Sequence, residues 1–249
     1  MFIDLNADVG EGAATDAELL GAITSANIAC GGHAGDLTLI RRTIRLALSR
    51  RVGIGAHPAF PDREGFGRRV LAMSPAEVTQ TVEEQIKLLI AAMKEANARL
   101  QHIKPHGALY NLAASKATYA EAIGEAVRRV DRGLIVITLA GSEMVGVLQS
   151  MDLRVAREAF IDRGYTARGL LVPRDHAAAL VTDADAAAAR AVRLVREHVV
   201  RSIDGVDVGV EADTLCVHGD TPNAAVLARA SRRALEEASV SVQPIAAFL

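Results

Sequence analysis

Short apolar runs that end in polar residues alternate along this chain with longer stretches of helical period, and few folds accommodate that alternation. The runs fall at 2–6, 25–30, 52–57, 102–106, 134–139, 153–160 and 213–218. Repeated strand and helix units of this kind build a parallel sheet covered by helices. Between the runs, Asp36 is placed to cap a helix over 37–50, and Ser74-Pro75-Ala76-Glu77 spells a capping box before 76–98. Thr221-Pro222 is expected to open a helix over 222–238, while 111–130 and 184–201 read as two Ala-rich amphipathic helices of an outer layer. The polar, Gly-punctuated stretch 161–176 is too irregular for a helix and reads as a long loop.

No Pro-, Gly- or Ser-rich linker divides the chain, so residues 1–249 are expected to form a single α/β domain. Both a barrel and an open doubly wound sheet place chemistry at the carboxyl ends of their strands. Functional-looking residues follow almost every run here. An open sheet concentrates its site at one switch point, so the barrel is favoured.

Composition narrows the function classes. With 28 Lys and Arg against 30 Asp and Glu, the formal charge is −2, which lacks the basic footprint needed to neutralise nucleic-acid phosphates. No run of about 18 apolar residues is present to span a membrane, and the first residues lack the basic and apolar regions of a signal peptide. A cytoplasmic location is expected. Cys30 and Cys216 lie far apart in apolar runs, which fits two reduced, buried thiols rather than a disulfide framework.

Strand parity indicates which side chains share a face. Asp4, Asn6 and Asp8 fall together, as do Lys104 and His106, then Glu158, Phe160 and Asp162, then Cys216, His218 and Asp220. Each strand thus offers one apolar face and one that turns polar towards its end. Asn6, Asp8, Glu11, His33, His57, Lys104, His106, Glu158, Asp162, His218 and Asp220 are the resulting candidates for one site. Asp36 reads as a helix cap instead.

The histidines and carboxylates also suit a divalent metal. His102 and His106 are about 13 Å apart if both lie on one extended strand, too far to share an ion. A ligand set would come from different strands, such as Asp8, His33, His57 and His218. No GxxxxGK[ST] loop, GxGxxG fingerprint or GxSxG nucleophile motif is present. Arg63, Arg68, Arg69, Arg163, Arg168 and Arg174 fall in two irregular segments, where guanidinium forks can clamp carboxylates or phosphates.

Read in order, several blocks are recognisable. They are Leu5-Asn6-Ala7-Asp8-Val9-Gly10-Glu11, Ala26-Asn27-Ile28-Ala29-Cys30-Gly31-Gly32-His33, Gly55-Ala56-His57-Pro58, Gly65-Phe66-Gly67-Arg68-Arg69, Lys104-Pro105-His106-Gly107-Ala108-Leu109-Tyr110-Asn111, Arg157-Glu158-Ala159-Phe160, Asp162-Arg163-Gly164-Tyr165 and Cys216-Val217-His218-Gly219-Asp220-Thr221-Pro222. Together they resemble the LamB/YcsF family, which comprises the A subunits of bacterial ATP-dependent 5-oxoprolinase. The resemblance covers nearly the whole chain. It implies a seven-stranded, distorted (β/α) barrel akin to polysaccharide deacetylases. It also implies a part in the opening of 5-oxo-L-proline to L-glutamate, coupled to ATP hydrolysis, alongside partner subunits B and C. With no phosphate loop in this chain, ATP is expected to be handled within the complex; a divalent metal and a homo-oligomer stay open.

Opening a lactam requires an activated carbonyl, a positioned water and a proton for the departing nitrogen. On this reading Asp8, His57, Lys104, His106, Glu158, Asp162 and His218 are the expected catalytic residues. Asp8 or Asp162 with a neighbouring histidine would activate water, Lys104 or His106 would stabilise the oxyanion, and His57 or His218 would protonate nitrogen. Asn6, Glu11, Asn27, His33, Arg68, Tyr110, Arg163 and Asp220 are expected to bind substrate, with Arg163 as the carboxylate clamp. Two rival readings are a metal-dependent deacetylase of sugars and a non-catalytic carrier or regulatory subunit that binds a small acid.

Overall fold

The computed structural model describes residues 1–249. In chain order its elements are β1 (Phe2–Val9), α1 (Asp16–Leu19), β2 (Ser25–Ala29), α2 (Leu37–Ser49), β3 (Gly53–His57), α3 (Pro75–Glu95), β4 (His102–Ile103), α4 (Gly107–Ala113), α5 (Ala117–Val130), β5 (Ile135–Leu139), α6 (Glu143–Ser150) and β6 (Arg154–Phe160). They continue with α7 (Ala184–Arg196), β7 (Val199–Arg201), β8 (Asp207–Gly209), β9 (Thr214–Val217), α8 (Ala224–Glu237) and β10 (Ser241–Val242). Strands β1 to β6 pair in sequence, β6 pairs with β9, and β9 returns to β1, all in parallel. This closes a seven-stranded barrel, onto which β10 adds beside the first residues of β1. No helix is long and apolar enough to cross a membrane.

The seven expected strands all appear, with differences that have local causes. β4 is only two residues long because Pro105 lacks an N–H and restricts the residue before it. The stretch 184–201 is not one helix: the chain takes a left-handed turn at His198 (φ 55°), and Val199–Arg201 then pairs antiparallel with β8. The stretch 111–130 divides into α4 and α5. Helix α8 starts at Ala224, not 222, since Asn223 is left-handed (φ 60°) and Thr221 turns its hydroxyl to Asp162, 2.7 Å away, rather than capping a helix. Asp36 does cap α2, accepting from the Leu39 amide at 2.8 Å. Ser74 and Glu77 form both arms of the capping box of α3.

Parity separates two environments. Ile3, Leu5, Ala7 and Val9 belong to the large apolar core, together with Ile40, Ile44, Val82, Ile86 and Leu89 of α2 and α3. Ala120, Ala126, Ala187, Ala191 and Ala228 are also fully buried, so small side chains fill much of the core where an aromatic-poor sequence has few large ones. The alternate residues of β1 turn inward, and there the barrel is polar. Burying such groups is costly without partners. The interior therefore has to be read as a hydrogen-bond network.

Candidate active site

The network starts at the bottom of the barrel. Asp4 is fully buried and accepts hydrogen bonds from Thr24 (2.8 Å), Ser25 (2.6 Å) and Thr214 (2.6 Å). Burial pushes its carboxyl up to about 6 despite these three donors. One step up the same face, Asn6 donates to Glu158 (2.9 Å) and Thr214 (2.7 Å) and accepts from Asn27 (2.8 Å). His102 reaches the same Asn27 at 2.9 Å.

Lys104 is the central cation. Its Nζ lies 3.0 Å from Asp8, 2.9 Å from Glu158 and 3.1 Å from the Cys216 sulfur. Burial works against the ammonium, but the facing Asp8 and Glu158 carboxylates hold it well above the ordinary lysine range. Three partners match the three protons of an ammonium. Tyr110 donates to the other Glu158 oxygen at 2.7 Å.

Above this layer three imidazoles meet one carboxylate. Glu11 Oε1 is 2.8 Å from His33 Nε2, 3.7 Å from His106 Nδ1 and 3.9 Å from His57 Nε2. His57 Nε2 and His106 Nδ1 are 2.9 Å apart, and Asp8 Oδ2 is 3.4 Å from His57 Nε2. His57 Nδ1 donates to the Lys104 carbonyl at 2.7 Å and His106 Nε2 to the Phe66 carbonyl at 2.9 Å. Burial pushes His33 down to about 3 and His106 down to about 2, so both rings are neutral. For His57 burial opposes the charged ring and the Asp8 carboxylate outweighs it, raising the pKa. Burial pushes Glu11 up to about 7. Gly67 (φ 65°) closes this cluster: a Cβ there would lie 2.9 Å from both the His33 Cβ and the His106 ring.

A second pair stands where β6 and β9 end. Asp162 is fully buried, and its carboxylate accepts from the His218 amide (2.8 Å), the Thr221 hydroxyl (2.7 Å) and His218 Nδ1 (3.0 Å). Burial resists the charge, yet His218 and these donors hold Asp162 below its usual value. A carboxylate can only accept, so the His218 proton is fixed on Nδ1 and Nε2 is left as the basic nitrogen. The His218 ring stacks on Phe160 with centroids 5.2 Å apart, and only 14% of the side chain is exposed.

Both groups border one cavity of about 930 Å³, whose wall includes Asp8, His57, Lys104, His106, Tyr110 and His218. Its rim carries Arg68, Arg168 and Arg174. Arg68 and Arg174 both bind Asp220, which joins the two irregular loops over the opening. Arg168 is exposed and has no carboxylate partner.

Several expected roles change in this geometry. Glu158, Asn6 and Asn27 do not line the cavity; Glu158 holds Lys104 and Tyr110, Asn6 holds Glu158, and Asn27 holds Asn6 and Asp8. Lys104 borders the cavity, but Asp8, Glu158 and Cys216 occupy its protons, so it is not a free oxyanion donor. His106 has both ring nitrogens engaged and is not one either. Arg163 is buried, with Nε on the Ala179 carbonyl (3.2 Å) and Nη2 on that of Val172 (2.6 Å), so it pins the loop rather than standing open as a clamp. The metal set expected from sequence is divided: His33 and His57 group with Glu11 and His106, whereas Asp8 and His218 group with Cys216. His102 points to Asn27 and His106 to His57, in agreement with the argument that they cannot share an ion. Sequence reasoning missed Gly141 and Ser142, which line the cavity after β5, and Val208–Glu211, which reach it from β8. The Gly-Ser pair at the end of an apolar run was a usable signal; the hairpin gave none.

Comparison with known proteins agrees with this architecture. The chain is 46% identical over 248 residues to the A subunit of 5-oxoprolinase from Heliobacterium modesticaldum, covering 98% of each. The structure superposes on the lactam utilization protein from Thermus thermophilus with a TM-score of 0.92 and 45% identity, covering 98% of this chain and 99% of that one. A family 4 carbohydrate esterase from Streptomyces lividans superposes with a TM-score of 0.53 at 10% identity, over 97% of this chain and 91% of the other, a likeness of fold alone. The LamB/YcsF family model matches residues 3–249, and with relatives this similar along the whole length, the chain belongs to the LamB/YcsF family.

Proposed function

We propose that this chain is the lactam-handling component of an ATP-dependent 5-oxoprolinase, acting with partner subunits B and C to open 5-oxo-L-proline to L-glutamate. The observation that carries the proposal is the His218–Asp162 pair on the wall of an arginine-rimmed cavity. The names of the relatives, one a lactam utilization protein and the other part of a 5-oxoprolinase, support the same reading.

The chemistry follows from which groups are free. His218 Nε2 is the unengaged base of an oriented pair, suited to taking a proton from water and returning one to the lactam nitrogen as its bond to carbon breaks. Asp162 fixes the tautomer and steadies the imidazolium formed in between. With Lys104 and His106 engaged elsewhere, the remaining cation for a substrate carboxylate or a phosphate is Arg168, supported by Arg68 and Arg174. ATP would activate the carbonyl by transferring its γ-phosphoryl group to that oxygen with release of ADP. The acyl phosphate left after water addition and C–N cleavage would be hydrolysed by a second water to glutamate and inorganic phosphate. The transfer is assigned to the complex because this chain has no phosphate loop. A small lactam would occupy only a fraction of the cavity, which leaves room for a phosphorylated form or for a partner's segment.

The test is glutamate release from 5-oxoproline, with and without ATP, by the chain alone and with its partner subunits. Release should require both ATP and the partners. His218→Ala should lower turnover by about 10²- to 10⁴-fold, the usual contribution of a general acid–base group, while the complex still assembles. A fully active His218→Ala complex would refute the role given to His218, and full activity from the partners alone would remove this chain from the chemistry.

A further inference from the structure

The three-histidine cluster has a feature that the lactam reading does not use. A backbone carbonyl can only accept, so the Lys104 carbonyl fixes the His57 proton on Nδ1 and the Phe66 carbonyl fixes the His106 proton on Nε2. In the neutral rings His57 Nε2 and His106 Nδ1 therefore present lone pairs to each other across 2.9 Å. Glu11 Oε1, a further acceptor when ionised, lies 3.9 and 3.7 Å from them, and Asp8 Oδ2 lies 3.4 Å from His57 Nε2. Acceptors gathered this closely repel one another unless a cation lies among them.

A single proton would relieve the contact between His57 and His106 and leave Glu11 and His33 outside the bond. An ion would engage all four. With metal–ligand bonds of about 2.0 Å, the edge of a tetrahedral site is about 3.3 Å. Four of the six separations run from 2.8 Å (Glu11 to His33) and 2.9 Å (His57 to His106) to 3.7 and 3.9 Å, bracketing that edge. All four donor atoms lie within 4.8 Å of one another. Glu11 accepts from His33 Nε2 at 2.8 Å, and His33 Nδ1 is buried without a partner, so the ring proton can pass to Nδ1 when an ion takes Nε2. The two other imidazoles already have the orientation by backbone acceptors that metal-bound histidines usually show.

We infer that Glu11, His33, His57 and His106 form a binding site for one divalent transition ion of the zinc type. Three imidazoles and a carboxylate in a compact, nearly buried cluster select such an ion over magnesium or calcium, which prefer oxygen ligands. Because His57 and His106 also border the cavity, the ion belongs to its wall. The inference does not depend on the identity of the substrate.

The experiment uses the full chain, stripped with a chelator and titrated with Co²⁺, whose visible absorption reports tetrahedral nitrogen and oxygen ligation, followed by competition with Zn²⁺. One equivalent should bind and be displaced by zinc. Glu11→Gln and His33→Ala should each weaken binding by more than the roughly 10- to 100-fold that loss of a ligand's orienting partner costs. His198→Asn, at an exposed histidine away from the cluster, should bind as the parent does. Nitrogen-15 spectra of the imidazoles in the unsubstituted chain give a readout independent of variant folding: the His57 and His106 signals should shift together on adding one equivalent. Absence of saturable binding by the stripped chain, unchanged binding in both ligand variants, or a proton shared by His57 and His106 that added ion does not displace would each overturn the inference.

Discussion

Replacing Lys104 with Met keeps most of the buried stem and removes the one lysine charge inside the barrel. Its Nζ is 3.0 Å from Asp8 and 2.9 Å from Glu158, in a side chain only 3% exposed. At an effective dielectric of about 20, each contact represents about 5 kcal/mol of Coulomb attraction, most of it offset by the cost of desolvating the three charges. Removing one partner is not so offset, because it leaves carboxylates buried and uncompensated, at a cost of about 3–5 kcal/mol. For a domain of this length that is a fall in Tm of roughly 6–20 °C, at about 2–4 °C per kcal/mol. The loss should depend on pH with a definite sign. In the parent chain burial opposes the Asp8 charge, but His57 and Lys104 hold its pKa well below 3.8. Asp8 therefore adds stability above that value and loses it only in strong acid. Without Lys104 the orphaned carboxylates bind protons more readily in the folded state, so the deficit should be greatest near pH 8 and shrink towards pH 5. Urea unfolding of parent and Lys104→Met at both pH values measures this, and adding Glu158→Gln to the variant should recover part of the loss. A deficit below about 1 kcal/mol at pH 8, or one that does not vary with pH, would refute the view that the interior is organised around this cation.

Asp4 carries a second, independent pH dependence. Its folded pKa of about 6 lies above the unfolded 3.8, so its contribution is complete below 3.8 and lost as pH rises through 6; the difference corresponds to about 3 kcal/mol. Asp4→Asn imitates the protonated acid, accepting from Thr24 and Ser25 and donating to Thr214, so its unfolding free energy should be flatter than the parent's between pH 4 and 7. Equal slopes in the two proteins would contradict the assignment. Gly67→Ala should strain a left-handed residue by about 1–2 kcal/mol and push a methyl against His33 and His106. The expected result is a lower Tm together with weakened Co²⁺ uptake, and unchanged uptake would show that the cluster tolerates displacement.

Part of this protein was legible before any coordinates. The alternation of apolar runs and helical segments specified repeated strand and helix units, because a period of two and a period of 3.6 bury different faces. Parity then separated Asp4, Asn6 and Asp8 from Ile3, Leu5 and Ala7, since a pleated strand has only two sides. Ser74 and Glu77 marked the start of α3 through local hydrogen bonds alone. Hairpin β7–β8 was hidden because Val199–Arg201 continues the apolar spacing of α7, and only pairing with Asp207–Gly209 makes it a strand.

Which polar residues are free to act was decided by the tertiary structure. Sequence grouped Lys104, His106 and Arg163 as chemical groups of equal standing. The fold supplies Lys104 with three partners, His106 with two and Arg163 with two loop carbonyls, while leaving His218 with one basic nitrogen unoccupied. It likewise gathered Glu11, His33, His57 and His106 from four separate segments and left Asp8 and His218 to a different group. Residue type and spacing determine what chemistry a side chain can offer. Whether that chemistry remains available depends on partners far away in sequence, which closure of the barrel from β9 onto β1 brings within hydrogen-bonding distance.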